Sequence, residues 1–310
     1  MTTDTTTPSR RILIAGGSGS IGRALTADLA AAGYEVVILS RSPERVTGLP
    51  TGASAAGWDG ETAEGWAHLA DGALGVVNLA GESIADGPWT KAKKERILES
   101  RLQPTRAVVS AIAEVETKPA FLLQGSAVGF YGDRGSEMVD ETAAAGEGFL
   151  AETCVRWEAA SVPVEELGVR RCLLRTGIVL AEDGALPKMA LPFKMFIGGP
   201  LGSGEQYVPW IHLADEVAAI RFLAETEAAR GPFNLTAPNP VTNRELSRAI
   251  ADVLHRPSLL RAPRLALHVA LGEMADMLLE GQRAVPAALE ALGFRFRFTD
   301  VRAAVADLLD

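Results

Sequence analysis

From Arg11 onward the chain alternates short apolar runs with longer amphipathic stretches. Arg11-Ile-Leu-Ile-Ala15 is a buried-strand run that ends in glycines, residues 21–32 are rich in alanine and leucine and predict a helix, and Gly33 supplies the stop before a second strand at 34–39. Further buried strands are predicted at 75–79, 120–124 and 171–175, with helices at about 91–115 and 148–167 between them. Such alternation implies a Rossmann-type α/β fold, a doubly wound parallel sheet covered on both faces. Between Glu182 and Trp210 the periodicity breaks down into a Gly- and Pro-rich stretch, which either covers a site or is a surface excursion. A helix beginning near Thr242 opens the last segment. There Phe294, Phe296 and Phe298 alternate with Arg295 and Arg297 at the period of a half-buried strand, and Asp300 is placed to cap a final helix. The expected organisation is a disordered leader at 1–10, a Rossmann-type domain at 11–239 and a small α+β substrate-side unit at 240–310.

A chain of 310 residues can bury one full core and a small second one. With 47% hydrophobic and 22% charged residues it lies far from the composition of disordered chains. Its 30 Lys and Arg against 39 Asp and Glu, without a basic run, lack the electrostatic footprint of a nucleic-acid binder. Cys154 and Cys172 show no paired spacing, and His68, His212, His255 and His268 never approach metal-ligand spacing, so neither a disulfide framework nor a metal site is expected. The opening MTTDTTTPS carries no apolar signal core and no later stretch reaches ~18 apolar residues. A cytoplasmic protein is expected, acting on a small molecule, with no membrane or nucleic-acid partner and an oligomeric state left open.

Candidate chemistry begins with Gly16-Gly-Ser18-Gly19-Ser20-Ile21-Gly22, a GxxGxxG between a strand and a helix. Glycines there let backbone N–H groups approach a pyrophosphate, and the helix N-terminus offers partial positive charge. The second strand ends Leu39-Ser40-Arg41, where an NAD binder carries an acid for the ribose hydroxyls. A hydroxyl and a guanidinium suit a 2′-phosphate instead, so the expected cofactor is NADP(H) rather than NAD(H). The alternative makes Arg41 a solvated strand-end charge. Asp59 either meets the adenine amine or caps a turn. Leu79, Ala80 and Gly81 close the next strand, the last two small enough for a cofactor to lie against the backbone. Gly125, Arg175 and Gly177 complete the expected cofactor set at the ends of later strands, and Arg175 is also placed to hold an anionic substrate group.

Asn78-Leu-Ala-Gly81, Ser126-Ala-Val-Gly-Phe-Tyr131-Gly132, Leu174-Arg-Thr-Gly-Ile-Val179 and Trp210-Ile-His-Leu-Ala-Asp215, taken with the glycine spacing, resemble the extended short-chain dehydrogenase/reductases of the NAD-dependent epimerase/dehydratase superfamily. Ala80-Gly-Glu-Ser-Ile84, Trp89-Thr90, Pro192-Phe-Lys194 and Gly293-Phe-Arg-Phe-Arg297 resemble its atypical "epimerase family protein" subgroup, which carries a short C-terminal domain of unknown function. The resemblance implies an oxidoreductase or epimerase acting on a small oxygenated or sugar-like substrate. It also implies a Tyr-x-x-x-Lys pair, and here the sequence departs from the pattern. With Glu158 aligned to the Glu that follows the Lys, Leu150 stands at the Tyr position and Cys154 at the Lys position. Leucine has no proton to give and a thiol is not a permanent cation. The usual Ser/Thr falls on Ala127, with Ser126 one residue earlier.

Three residues remain as catalytic candidates. Tyr131 donates a proton if its pKa is lowered by an oxidised cofactor, or else it packs; Ser126 and Glu82 lie near the same expected edge. Cys154 is either a nucleophile or a small apolar residue. His212 is expected to fix a helix start, whereas Lys188, Lys194 and Gln206 meet a phosphate or a sugar hydroxyl, or are solvated. Three functions follow: an atypical reductase or epimerase, an ordinary nucleotide-sugar epimerase, or a non-catalytic NADPH sensor whose 182–210 segment orders on binding.

Overall fold

The computed structural model describes residues 10–309. Seven strands form a wholly parallel sheet: β1 (Arg11–Ala15), β2 (Glu35–Ser40), β3 (Ala53–Gly57), β4 (Gly75–Asn78), β5 (Phe121–Ala127), β6 (Arg170–Thr176) and β7 (Gly231–Leu235). Their order is β7-β6-β5-β4-β1-β2-β3, so the direction of winding reverses between β1 and β4, where open α/β sheets place their ligands. Alternate residues of β1 feed two cores: Ile12 and Ile14 join Leu25, Leu29 and Ile220 on one face, Leu13 and Ala15 join Val108 and Ile112 on the other. Helix α1 (Ser20–Ala31) covers the first face, and α2 (Lys91–Glu114) and α3 (Phe149–Ala160) the second. The doubly wound sheet expected from the apolar runs is present.

The aperiodic stretch contains a helix, Ala185–Lys194, that buries Leu186, Ala190 and Phe193. Pro187 sits in its first turn, where a missing N–H costs nothing, but Pro192 lies inside it, and together they hide the helical period. These residues share a second core with Trp210, Leu246, Ile250, Val301 and Val305. Residues from both sides of position 240 thus pack into one cluster.

The segment 294–298, expected as a strand, is not one: it pairs with no strand among the described residues and bends at Arg297. The N–H groups of Arg297 and Phe298 donate instead to the buried Asp215 carboxylate, each at 2.8 Å. Phe294 packs into the main core and Phe298 into the smaller one, so the segment stitches the two together. Asp300 caps the last helix as expected, accepting from Ala303 N at 2.9 Å. Of the expected leader, residues 1–9 lie outside the described residues; Arg10 donates to Ala32 O and lies 4.6 Å over the Tyr34 ring.

Candidate active site

The end of β1 and the start of α1 are held together by glycines with different jobs. Gly16 has φ +81°, and a Cβ there would stand 2.7 Å from the Leu79 carbonyl and 2.9 Å from Ala80 N. A Cβ on Gly22 would lie 2.4 Å from Gly16 O. These two let chain segments touch, whereas a Cβ on Gly19 would meet only Gly16 O, at 3.5 Å. Gly19 is the N-cap of α1, no side chain caps that end, and its first turn, with Ser20 and Ile21, holds no acid. The N-terminus of α1 thus presents backbone donors and positive dipole to the outside. Exposed Ser18 gives its carbonyl to Arg23 at 2.7 Å, leaving its hydroxyl outward.

Ser40 and Arg41 end β2 on the same edge. Ser40 Oγ accepts from Ser42 N at 3.2 Å. Exposed Arg41 has no hydrogen bond or ion pair among the described residues, and its side chain runs over Gly60, at the end of β3. Asp59 accepts from Glu61 N and Thr62 N at 2.8 Å and from Thr62 Oγ1 at 2.6 Å, bonds that hold its carboxyl below the usual range. Of its two expected roles the turn cap is the one built here.

Asn78, fully buried, shapes the turn that faces Gly16. Its amide donates to Thr105 Oγ1 at 3.1 Å and Gln124 Oε1 at 3.0 Å, and its carbonyl accepts from Ala80 N at 3.2 Å. Past Leu79, Ala80 and Gly81 the chain reaches Glu82, whose carboxylate accepts from Lys93 Nζ at 2.5 Å and lies 3.7 Å from Arg96. Lys93 is buried; its hydrogen bond is the main cause that holds the Glu82 carboxyl below the usual range. Arg101 donates to the Glu82 carbonyl at 3.1 Å and lies 5.2 Å over the Trp157 ring. Sequence reasoning found Glu82 but missed Lys93. The usable signal was Thr90, which caps α2 through Lys93 N and so fixes the lysine on the first turn.

Leu150 and Cys154 of α3 face the end of β5, lying 3.4 and 4.0 Å from a notional Cβ on Gly129. Burial pushes the Cys154 thiol up to about 11, so it is a protonated wall residue and not a thiolate. Gly125 and Gly177 are both explained by packing. A side chain on the first would stand 2.9 Å from Asn78 O, and on the second 2.4 Å from Pro209 O.

Three expected roles change at this point. Ser126 Oγ donates to Glu158 Oε1 at 2.6 Å, and Glu158 takes a two-point grip from Arg175, Nε at 2.9 Å and Nη2 at 3.0 Å. Tyr131 is fully buried; its hydroxyl donates to Asn234 Oδ1 at 2.7 Å and accepts from Arg175 at 3.0 Å. Burial raises the Tyr131 pKa, opposite to the lowering a proton donor needs. Arg175 is buried, lies 3.5 Å over the Phe130 ring and spends its donors on Glu158 and Tyr131 rather than on a substrate anion. Ser126, Tyr131 and Arg175 are therefore parts of an internal polar chain. It continues from Asn234 to Val285 O at 2.9 Å, while Glu141 joins Asn234 N to Ala288 N.

Residues 12–236 match the NAD dependent epimerase/dehydratase family. The chain belongs to it. Residues 262–308 match a domain of unknown function, so the family resemblance extends through the C-terminal unit. An epimerase family protein of Mycobacterium bovis is 42% identical over 293 residues, 94% of each chain. The human epimerase family protein SDR39U1, solved with NADPH, superposes with TM-score 0.85 at 31% identity, covering 96% of this chain and 98% of that one. A nucleoside-diphosphate sugar epimerase from Corynebacterium glutamicum gives TM-score 0.76 at 36% identity, covering 98% of this chain and 58% of the other.

Other polar candidates in this epimerase/dehydratase family chain are structural or peripheral. His212 caps the helix Leu213–Glu225 by accepting from Ala214 N at 3.1 Å, and stacks on Phe298 at 3.9 Å. Gln206 is buried and bonds Leu201 O and Leu278 O; Lys188 is exposed, 3.5 Å from Asp86, and Lys194 is exposed. Among the described residues no group of three His, Cys, Asp or Glu could hold a metal ion, and no helix is long and apolar enough to cross a membrane.

Glu216 has no solvent exposure and one partner, Thr176 Oγ1 at 2.9 Å, while its other oxygen is bonded to nothing among the described residues. Burial pushes its pKa up to about 8. Between about pH 4.5, where an unfolded glutamate ionises, and about 8 the folded chain holds a proton that the unfolded chain has lost. Stability is thus expected to fall as pH rises through that window, by at most ~1.4 kcal/mol per pH unit, and to level off above it. Denaturant unfolding at a series of pH values checks this, and the slope should flatten in Glu216→Gln.

Proposed function

We propose that this chain binds NADP(H) and acts as an atypical oxidoreductase or epimerase on a small oxygenated or sugar-like substrate in the cytoplasm. The observation that carries the cofactor half is the unpaired Arg41 guanidinium at the end of β2, on the same sheet edge as the uncapped α1 N-terminus. Gly19, Ser20 and Ile21 would hold the pyrophosphate, Ser40 and Arg41 the 2′-phosphate, and the turn Leu79–Gly81 the ring end. The NADPH bound by the human relative supports this reading. When bound, the cofactor supplies hydride transfer. The chain's own contribution is a polar pair, Glu82 with buried Lys93, which Arg101 links to Trp157 of the helix that carries Leu150 and protonated Cys154 in place of the usual Tyr and Lys.

Calorimetric titration of wild type and Arg41→Ala with NADPH and NADH tests it. Loss of a charged hydrogen-bond partner is expected to weaken NADPH by about 1.5–3 kcal/mol, roughly 10- to 150-fold, and to leave NADH unchanged. Equal weakening of both, or of neither, removes the assignment. One observation favours a second reading, an NADP(H)-binding sensor without turnover. Ser126 and Tyr131, the hydroxyls nearest the expected reaction centre, are both committed to internal bonds. Carbonyl turnover that disappears in Glu82→Gln separates the enzyme from the sensor. The ordinary nucleotide-sugar epimerase, named for the Corynebacterium relative, would need a proton donor where Leu150 stands.

A further inference from the structure

Exposed apolar side chains are concentrated in two segments that meet. Of the eleven large hydrophobic residues exposed among the described residues, eight come from two segments. Leu191, Met195, Phe196 and Ile197 end the helix Ala185–Lys194, and Leu259, Leu260, Leu265 and Val269 belong to the C-terminal unit. The segments are neighbours, since Leu260 N donates to Gly198 O at 3.4 Å and residues 201 and 262 form a β-bridge. The helix Arg264–Leu271 buries none of its residues; Leu265 and Val269, one turn apart on one side, are 76% and 81% exposed.

Phe196 adds an independent mark. The helix before it ends in a tight cap in which Ile197 N donates to Pro192 O and Phe196 N to Phe193 O, both at 2.9 Å. Position 196 takes φ +62°, the conformation glycine adopts at this place without strain. A phenylalanine there is strained, and its ring, with Arg256 4.6 Å above it, is not used to fill a core.

Charge selects the occupant. From 184 to 204 and from 253 to 272 there is no acidic residue, while Lys188, Lys194, Arg256, Arg261 and Arg264 supply five positive charges in a chain of net −9. Asp86 approaches Lys188 at 3.5 Å and Asp276 approaches Arg264 at 4.0 Å and His268 at 3.6 Å, while Lys194, Arg256 and Arg261 have no ion pair among the described residues. A second copy docking here by two-fold symmetry would set cations against cations. An anionic bilayer offers both an apolar interior and negative headgroups.

We propose that this face docks on an anionic lipid surface, its apolar side chains entering the acyl boundary and its Arg and Lys rim meeting the headgroups. The expectation of no membrane partner rested on the lack of a spanning run, which an element lying in the interface does not need.

Sedimentation of the purified chain with vesicles of phosphatidylcholine alone, and of phosphatidylcholine mixed with phosphatidylglycerol, is the test. Wild type should sediment with the mixed vesicles only, and binding should drop roughly tenfold or more in high salt. Phe196→Gly, which relieves the cap, and Leu265→Asp with Val269→Asp, should each weaken binding at least about tenfold while NADPH titration stays as in wild type and thermal unfolding is not lowered. Three results would overturn the proposal: no sedimentation with mixed vesicles, equal sedimentation of wild type and both variants, or light scattering showing a dimer that these variants split. The last would make the face a contact between copies.

Discussion

Glu158→Ala is expected to destabilise the folded chain by about 3–5 kcal/mol. The reason is the group left behind. The Arg175 side chain is 5% exposed and its two-point partner would be gone, leaving it Tyr131 Oη at 3.0 Å and a long bond to Glu141 O at 3.4 Å. Ser126 would lose its acceptor in the same step. Removing both charges should hurt less than removing one, so Glu158→Leu with Arg175→Met is expected to recover much of the loss. Urea unfolding of the single and double variants measures the difference. A single-variant loss under about 1 kcal/mol would mean that the buried pair does not hold α3 to β6. The same chain of bonds runs on through Tyr131 and Asn234 to Val285, so the variant is also expected to loosen the seam between the sheet edge and the C-terminal unit.

This network shows why the sheet was legible in the sequence and the catalytic assignments were not. Strands buried on both faces must be continuously apolar, so β1, β2, β4, β5 and β6 announce themselves. The glycine loop is equally legible, because close backbone approach admits no other residue at Gly16 or Gly22. The 294–298 segment misleads because alternation reports which side chains are buried, not what the backbone pairs with; that partner is a carboxylate some eighty residues earlier. Tyr131, Ser126 and Arg175 carry the right functional groups at the right sheet edge. What assigns them is whether the group is free, and Glu158 and Asn234, distant in sequence, consume it. Lys93 is the converse case, an ordinary surface residue by type that the Thr90 cap and Glu82 draw inside.

The glycine loop allows the cofactor site to be separated from the fold that carries it. In Gly22→Ala the new methyl would meet backbone on every side, 2.4 Å from Gly16 O and 2.5 Å from Gly17 Cα. The loop must move, at a cost of about 1–3 kcal/mol in stability, and dinucleotide affinity should fall with it. Gly19→Ala makes the contrasting case. Its backbone, φ −75° and ψ 170°, suits any residue, and the only neighbour of the added methyl is Gly16 O at 3.5 Å. Without ligand this variant should lose only about 1 kcal/mol, the cost of alanine in place of glycine at an N-cap. If the pyrophosphate lies against that open position, the methyl occupies its space, and the steric cost of about 1–3 kcal/mol appears wholly in binding, as a 5- to 150-fold rise in the Kd for NADPH. Thermal unfolding of the free variants and calorimetric titration with NADPH read the two effects apart. A Gly19→Ala chain that binds NADPH as tightly as wild type would place the phosphates elsewhere and remove the α1 N-terminus from the site.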